Sequence, residues 1–276
     1  MKIGLIGYGA IGEPVAHAIL NHTHGLERDN ITLVSIFVQS SRPSSDPCFK
    51  LITTSWETFI SSHVDLIVEC AGQQAIQTFA NNILDAKKSL LITSIGALTD
   101  SSLFKTLQAT AKKNKVRILL ASGAMPGVNW MASSSLAGGT QIVKVIQAKP
   151  PKSWKGAKFD PSTKLPAPDD FDFDCMTERT VIFAGSAREC ASTFPKNSNV
   201  TALLALATSG LDSVVVELVA DPTNFGLQLE YEGGAGSITI AGKGKQSPSN
   251  PRTSAVVPLS VIKSLRNLTS TVAIGV

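Results

Sequence analysis

The chain has 276 residues, of which 43% are hydrophobic, and this is enough to build two domain cores. Its 25 lysines and arginines against 21 aspartates and glutamates give a net charge of +4, without any basic block that would indicate a nucleic-acid-binding protein. No apolar run reaches the roughly 18 residues typical of a membrane span, and the first residues do not follow the pattern of a signal peptide. We therefore expect a cytoplasmic protein.

The cysteines and histidines do not form a metal-binding or disulfide pattern. The four histidines all lie in the first 63 residues, and none belongs to a cluster with ligand spacing. The four cysteines are widely separated and include no C-x-x-C pair, so we expect reduced thiols. They are Cys48, Cys70, Cys175 and Cys190.

The first dozen residues, MKIGLIGYGAIG, predict a buried strand followed by a dinucleotide-binding turn. Gly7 allows a tight turn out of the strand, Gly9 allows a pyrophosphate to approach the backbone, and Gly12 allows the next helix to pack close to the sheet. Ala10 and Ile11 lie inside the same turn. The following helix offers its unpaired N–H groups and its positive dipole end to the phosphates.

The end of the second predicted strand, 31–38, bears on the choice between NAD and NADP. The sequence there is Gln-Ser-Ser-Arg, whereas an NAD-specific turn would carry an acidic residue for the ribose hydroxyl groups. Ser40 and Arg42 are suited to bind a 2′-phosphate. We therefore expect NADP or dual use, the alternative being that Arg42 is a solvated loop residue.

Three further strands, at 66–69, 90–93 and 117–120, alternate with helices of ten or more residues. This order predicts a doubly wound parallel sheet of the Rossmann type over residues 1–124. Each strand ends in small residues, which leave room for a nicotinamide at the carboxyl edge of the sheet. These residues are Ala71, Gly72, Gly96, Gly123 and Ala124.

The pattern changes in residues 125–251, for which we predict an α+β domain that binds substrate and forms the dimer. Several strands follow one another without intervening helices, which indicates a mixed or antiparallel sheet. Residues 149–174 contain five prolines and predict a long surface excursion. A final helix, within 252–276, is expected to pack back on the first domain.

The order of these motifs resembles the L-aspartate dehydrogenase family over nearly the whole chain. The elements that carry the resemblance are the glycine turn, 94–98 (SIGAL), 121–124 (ASGA), 149–151 (KPP), 194–200 (FPKNSNV), 220–222 (ADP) and 250–254 (NPRTS). It implies a dimeric NAD(P)-dependent oxidoreductase that interconverts an amino acid and its 2-oxo acid plus ammonia. It also implies cofactor contacts at Ala124 and Asn199.

On the substrate side we expect Asn197, Asn224 and Thr253 to contact the substrate, the alternative for Thr253 being a cap of the last helix. The family motif that follows A-D-P ends in a catalytic histidine, and Gly226 stands at that position here. Lys152 and Lys196 are candidates for the missing base, although a solvated loop lysine is the simpler reading of Lys196. Residues 124–129 also depart from the family pattern.

These departures leave three functions open. The first is an aspartate dehydrogenase-like enzyme, or an imine reductase with another substrate. The second is an NAD(P)-binding sensor that has lost catalysis, for which the missing histidine argues. The third is a homoserine dehydrogenase-like reductase, which shares the first domain but does not explain the motif at 194–200.

Overall fold

The chain folds into two compact units. The computed structural model describes residues 1–27, 30–41, 43–155 and 172–275, with the backbone alone at Arg252. One unit comprises Met1–Gly123 together with Val257–Val276, and the other comprises Ala124–Val256. The first unit therefore contains both ends of the chain.

The first unit is built on a six-stranded parallel sheet in the order β3-β2-β1-β4-β5-β6. Its elements up to Gly123 are β1 (Lys2–Ile6), α1 (Gly12–Leu20), β2 (Thr32–Phe37), β3 (Ile52–Thr53), α2 (Trp56–Ser61), β4 (Leu66–Glu69), α3 (Gln73–Asp85), β5 (Ser89–Ile92), α4 (Ser101–Asn114) and β6 (Ile118–Leu120). The strand order reverses between β1 and β4, which is where doubly wound sheets bind their ligands. The predicted Rossmann class is confirmed.

The second unit is built on a five-stranded mixed sheet in the order β11-β10-β7-β9-β8, in which only β7 and β9 are parallel among the described pairs. Its elements are α5 (Val128–Ser135), β7 (Ile142–Lys149), β8 (Thr180–Ser186), α6 (Ala187–Thr193), α7 (Asn199–Ala207), β9 (Val215–Ala220), β10 (Gly226–Gly233), β11 (Gly236–Lys243), β12 (Gln246–Ser247) and β13 (Asn250–Ser254). The mixed sheet confirms the predicted α+β class of this unit.

The last helix, α8 (Val256–Thr269), contributes to the core of the first unit. Its Val261, Ile262 and Leu265 belong to one buried apolar cluster with Ile3 and Leu5 of β1. Gly4, the residue between Ile3 and Leu5, faces the opposite side of the sheet, where an added Cβ would lie 3.1 Å from the ring of Phe59. Because side chains alternate along a strand, the two faces of the sheet are covered by different helices.

Some elements differ from the sequence predictions. The strand β3 and the helices α2 and α6 were not predicted, because each is too short to show a clear periodicity. The last helix, Val256–Thr269, lies within the predicted range 252–276, and it starts after residues 250–254 because these form β13 and pair with β12. Most of the predicted proline-rich excursion, 156–171, lies outside the described residues.

The contribution of α8 can be measured with a pair of substitutions on its two faces. Leu265 is fully buried whereas Leu268 is 40% exposed. We expect Leu265→Ala to lower the free energy of unfolding by about 3 kcal/mol, because it leaves a cavity in the first unit. Leu268→Ala should lower it by no more than about 0.5 kcal/mol. Urea unfolding followed by circular dichroism measures both, and equal effects would show that α8 is not part of the core.

Candidate functional site

The three glycines of the first turn occupy three different environments. Gly7 has φ +90° and lies so close to β4 that an added Cβ would be 2.8 Å from the Ala71 Cα. At Gly12 a Cβ would lie 2.1 Å from the Gly7 carbonyl oxygen, so only glycine allows α1 to start there. At Gly9 a Cβ would meet no atom within 4 Å. The turn is therefore packed tightly on one side and open on the other.

The open side of this turn lies at the N-terminus of α1. Ile11 is the N-cap residue and provides no side-chain hydrogen bond to the helix. Ala10 precedes it and is half-buried. A helix start without a side-chain cap, next to open space at Gly9, fits the pyrophosphate of a dinucleotide, because the first N–H groups and the helix dipole both favour an anion.

A fully buried carboxylate connects the ends of β4 and β5. Glu69 Oε1 accepts hydrogen bonds from the N–H groups of Ala71 and Gly72 at 2.8 and 2.7 Å, and from Ser94 Oγ at 2.8 Å. Its Oε2 accepts from the N–H groups of Thr93 and Ser94 at 3.2 and 3.0 Å. Because five donors converge on one side chain, the two loops at this edge of the sheet have fixed positions. The sequence analysis did not single out Glu69.

These hydrogen bonds also limit how Ala71 and Gly72 can contact a cofactor. Their N–H groups are directed at Glu69, so they are not the donors that would contact a cofactor. Their small side chains instead leave open space, since a Cβ added at Gly72 would meet no atom within 4 Å. Both residues thus stay candidates for cofactor contact through their small size.

The region that follows β2 contains a carboxylate beyond the stretch considered in the sequence analysis. Asp46 Oδ1 accepts hydrogen bonds from the Tyr8 hydroxyl at 3.1 Å and from the Cys48 N–H at 2.8 Å. The Tyr8 hydroxyl also lies 3.1 Å from His17 Nε2, and burial raises the pKa of this phenol. Ser40 is exposed, whereas Arg42 lies outside the described residues. The preference between NAD and NADP therefore remains a prediction.

In the second unit, one end of the mixed sheet carries two of the residues predicted for the substrate side. Asn224 and Gly226 line a cavity of about 490 Å³ together with two cationic side chains, Arg179 and Lys243. The side-chain oxygen of Asn224 is buried and has no hydrogen-bond partner among the described residues. The two cationic side chains give the cavity a lining suited to a polar ligand.

Gly226 lies between two neighbouring strands of the mixed sheet. In β10 it pairs with Ala148 of β7 on one side and with Lys243 of β11 on the other. A Cβ here would lie 2.6 Å from the carbonyl oxygen of Gly242. Any side chain at this position therefore requires β11 to move, and a histidine does not fit the backbone as it stands.

The lysine of the motif at 149–151, for which no site role was predicted, lies at the same end of the sheet. Lys149 is the last residue of β7, and its Nζ donates a hydrogen bond of 2.8 Å to Asn197 Oδ1 and lies 5.2 Å from the centre of the Trp154 ring. Burial lowers the pKa of Lys149 to about 8. A buried cation with a shifted pKa is a typical feature of a functional site.

The other predicted residues are distributed around these groups. Lys196 and Lys152 are both exposed, so neither has the buried environment that usually activates a lysine as a base. Thr253 lies in β13 and is half-buried, as are Ala124 and Asn199. The cavity that contains Asn224 does not include Asn197 or Thr253 among its described lining residues. The structure therefore does not bring the three predicted substrate residues into one cavity.

Comparisons with known proteins cover both units. A family model described as "Homoserine dehydrogenase, NAD binding domain" matches residues 7–121, and one described as "Aspartate dehydrogenase, C-terminal" matches residues 128–268. The L-aspartate dehydrogenase of Ralstonia pickettii is 33% identical over 99% of this chain and 100% of its own length. That of Acinetobacter baumannii is 36% identical over 96% of this chain and 97% of its own. The chain belongs to the L-aspartate dehydrogenase family.

A solved structure agrees with the fold of this family. The crystal structure of aspartate dehydrogenase from Thermotoga maritima is similar to the chain with a TM-score of 0.72 and 22% identity, over 99% of both chains. Family membership confirms the predictions of an oxidoreductase that uses NAD(P) and acts on the CH–NH2 group of an amino acid. Among the described residues, no helix is both long and apolar enough to cross a membrane.

The first prediction for this family member separates the two roles of glycine in the cofactor turn. We expect Gly9→Ala to fold with an unchanged melting temperature, because its Cβ meets nothing, yet to bind NADPH at least about tenfold more weakly. Gly12→Ala should instead lower the melting temperature, because its Cβ would meet the Gly7 carbonyl. Fluorescence titration and thermal unfolding measure the two effects. Full NADPH affinity in Gly9→Ala would contradict the assignment.

The second prediction concerns the buried ammonium of Lys149. Because its pKa is lowered from 10.5 to about 8, the unfolded chain binds a proton that the folded chain does not between these two pH values. The stability of the wild type should therefore rise with pH across this window, by about 3 kcal/mol relative to Lys149→Met. Below about pH 8 the full cost of burying the charge remains. Urea unfolding of both proteins at pH 7, 9 and 10 tests this, and parallel curves would contradict it.

Proposed function

We propose that this chain catalyses the NAD(P)-dependent oxidation of L-aspartate to oxaloacetate and ammonia, or the reverse reductive amination. The proposal rests on how much of the chain is matched, because the similarity to L-aspartate dehydrogenases extends over both units. A relationship limited to the first unit would support only the binding of a dinucleotide. The match at 128–268 extends it to the unit that carries the predicted substrate residues.

The first unit supplies the cofactor site in this proposal. When bound, the nicotinamide accepts the hydride that leaves the substrate Cα. The chain holds the pyrophosphate at the N-terminus of α1, next to the open space at Gly9. Glu69 keeps the loops at the ends of β4 and β5 in place, so that the edge of the sheet is organised before the cofactor arrives. We keep Ala124 and Asn199 as proposed cofactor contacts, and Ser40 and Arg42 for the 2′-phosphate of NADP.

The second unit supplies the substrate site. The oxidation removes a hydride and a proton from the H–Cα–N–H unit of aspartate, and water then replaces the imine nitrogen. Asn197, Asn224 and Thr253 are proposed as hydrogen-bonding partners of the substrate. The resemblance places the family's base at Gly226, and the close approach of β11 there supports the proposal that no base acts from this position. Of the lysines in question, Lys149 is buried whereas Lys196 and Lys152 are exposed, so the geometry does not support either exposed lysine as a base.

We further propose that the enzyme is a cytoplasmic homodimer. Ile142, Val181 and Val215 are exposed apolar residues on the same face of the mixed sheet, as their register with neighbouring strands requires. Such a face supports association of two copies. All four cysteines are free and three of them are buried, which suits a reducing compartment.

The reaction can be tested with purified protein, NADH or NADPH, ammonium and a panel of 2-oxo acids. We expect cofactor oxidation, followed as loss of absorbance of the reduced cofactor, with oxaloacetate preferred over 2-oxobutyrate and pyruvate. Gly9→Ala is the control for dependence on the proposed site. Tight binding of NADPH without turnover of any acid would favour the sensor, and reduction of aspartate semialdehyde would favour a homoserine dehydrogenase-like enzyme.

A further inference from the structure

Lys149 is a buried cation without an anionic partner among the described residues. The ion pairs found there belong to Lys144, Lys155 and Arg188. Lys149 has instead a neutral amide oxygen and the face of an indole ring as its neighbours. Both are weak compensation for an ammonium removed from water, which normally requires a counter-charge. An anion that arrives from outside would supply it.

The contact with Lys149 also determines how the Asn197 amide is turned. Because an ammonium only donates hydrogen bonds, Asn197 must present its oxygen to Lys149. The amide nitrogen, with its two N–H donors, then points away from the lysine. Asn197 ends the short turn Pro195–Asn197, immediately before α7, whose N-terminus adds a partial positive charge. The outward side of this amide thus offers donors in a positive environment.

We infer that Asn197 binds one carboxylate of the substrate, and that Lys149 is a positioning residue that orients the amide and supplies positive charge behind it. This inference rests on the proposed function and deepens it. It gives a physical reason for preferring a dicarboxylate, because the second carboxylate would compensate the buried charge. A monocarboxylate with an otherwise equal chain would leave Lys149 uncompensated.

Several titratable groups lie near Lys149. Burial raises the pKa of the Cys190 thiol on α6 to about 12, so this thiol is neutral. The Asp221 carboxylate, after β9, accepts hydrogen bonds from Thr223 at 2.9 and 3.0 Å. Lys152 and Lys196, on the two short turns nearby, are exposed and solvated. Since a bound carboxylate favours the charged form of Lys149, ligand binding near pH 8 should take up protons.

The test uses protein saturated with NADPH and succinate as the unreactive dicarboxylate, with butyrate as the monocarboxylate of equal chain length. Calorimetric titration at pH 8 in two buffers of different ionisation enthalpy gives the number of protons taken up. For the wild type we expect about half a proton per succinate, and an affinity that falls roughly tenfold per pH unit at higher pH. Lys149→Met should bind succinate at least about tenfold more weakly and without this uptake.

Two further variants keep the test decisive. Lys144→Met removes a partly exposed lysine from the same strand and should bind succinate as the wild type does. Asn197→Asp places a carboxylate next to Lys149, so the counter-charge is supplied internally and succinate binding should be lost even in a protein that remains folded. Equal proton uptake by the wild type and Lys149→Met would overturn the inference, as would unchanged succinate affinity in Asn197→Asp.

The outcome is separable from that of the proposed function. Succinate binding with Lys149-dependent proton uptake supports the inference even in a protein that turns over no 2-oxo acid. Conversely, turnover of oxaloacetate without any binding of succinate by the wild type would leave the enzyme assignment intact and overturn the role of Lys149.

Discussion

The close approach of α1 to the first strand turn is the constraint on which the cofactor unit depends. A Cβ at Gly12 would lie 2.1 Å from the Gly7 carbonyl oxygen, a separation that no side chain tolerates. The helix can therefore begin directly behind the turn only because residue 12 is glycine, and its N-terminus is then aimed at the open space near Gly9. Steric contact at one pair of residues thus sets where the uncapped N-terminus of α1 lies, a feature that favours binding of an anion.

The same unit uses a buried carboxyl group to organise the loops that follow β4 and β5. Glu69 is fully buried, but four backbone N–H groups and one hydroxyl group replace the water that it loses. A carboxylate with so many donors is rigid, because moving either loop would leave charge and donors unpaired. The edge of the sheet is consequently set by the protein itself rather than by its ligand, and little ordering remains to oppose cofactor binding.

The features that the sequence predicted are those that depend on residues close together in the chain. The glycine turn and the alternation of strands and helices are local patterns, and they predicted the class of both units. Glu69 and Lys149 were missed because their significance comes from partners distant along the chain, such as Ser94, 25 residues away, and Asn197, 48 residues away. Nothing in the residues next to Lys149 shows that its ammonium is buried. The shortest elements were missed because two to seven residues do not establish a period.

The backbone around Gly226 leaves no room for a side chain. The backbone of β11 lies so close to this position that a Cβ would be 2.6 Å from the Gly242 oxygen. The neighbouring strand thus occupies the space that a side chain would need, and any side chain here would require a different pairing of β10 and β11. Positive charge in this unit lies instead at Arg179 and Lys243, which line the cavity, and at Lys149, next to Asn197. Binding of a dicarboxylate depends on positive charge, whereas proton transfer depends on one precisely placed base, so the charge at these positions does not by itself supply a base.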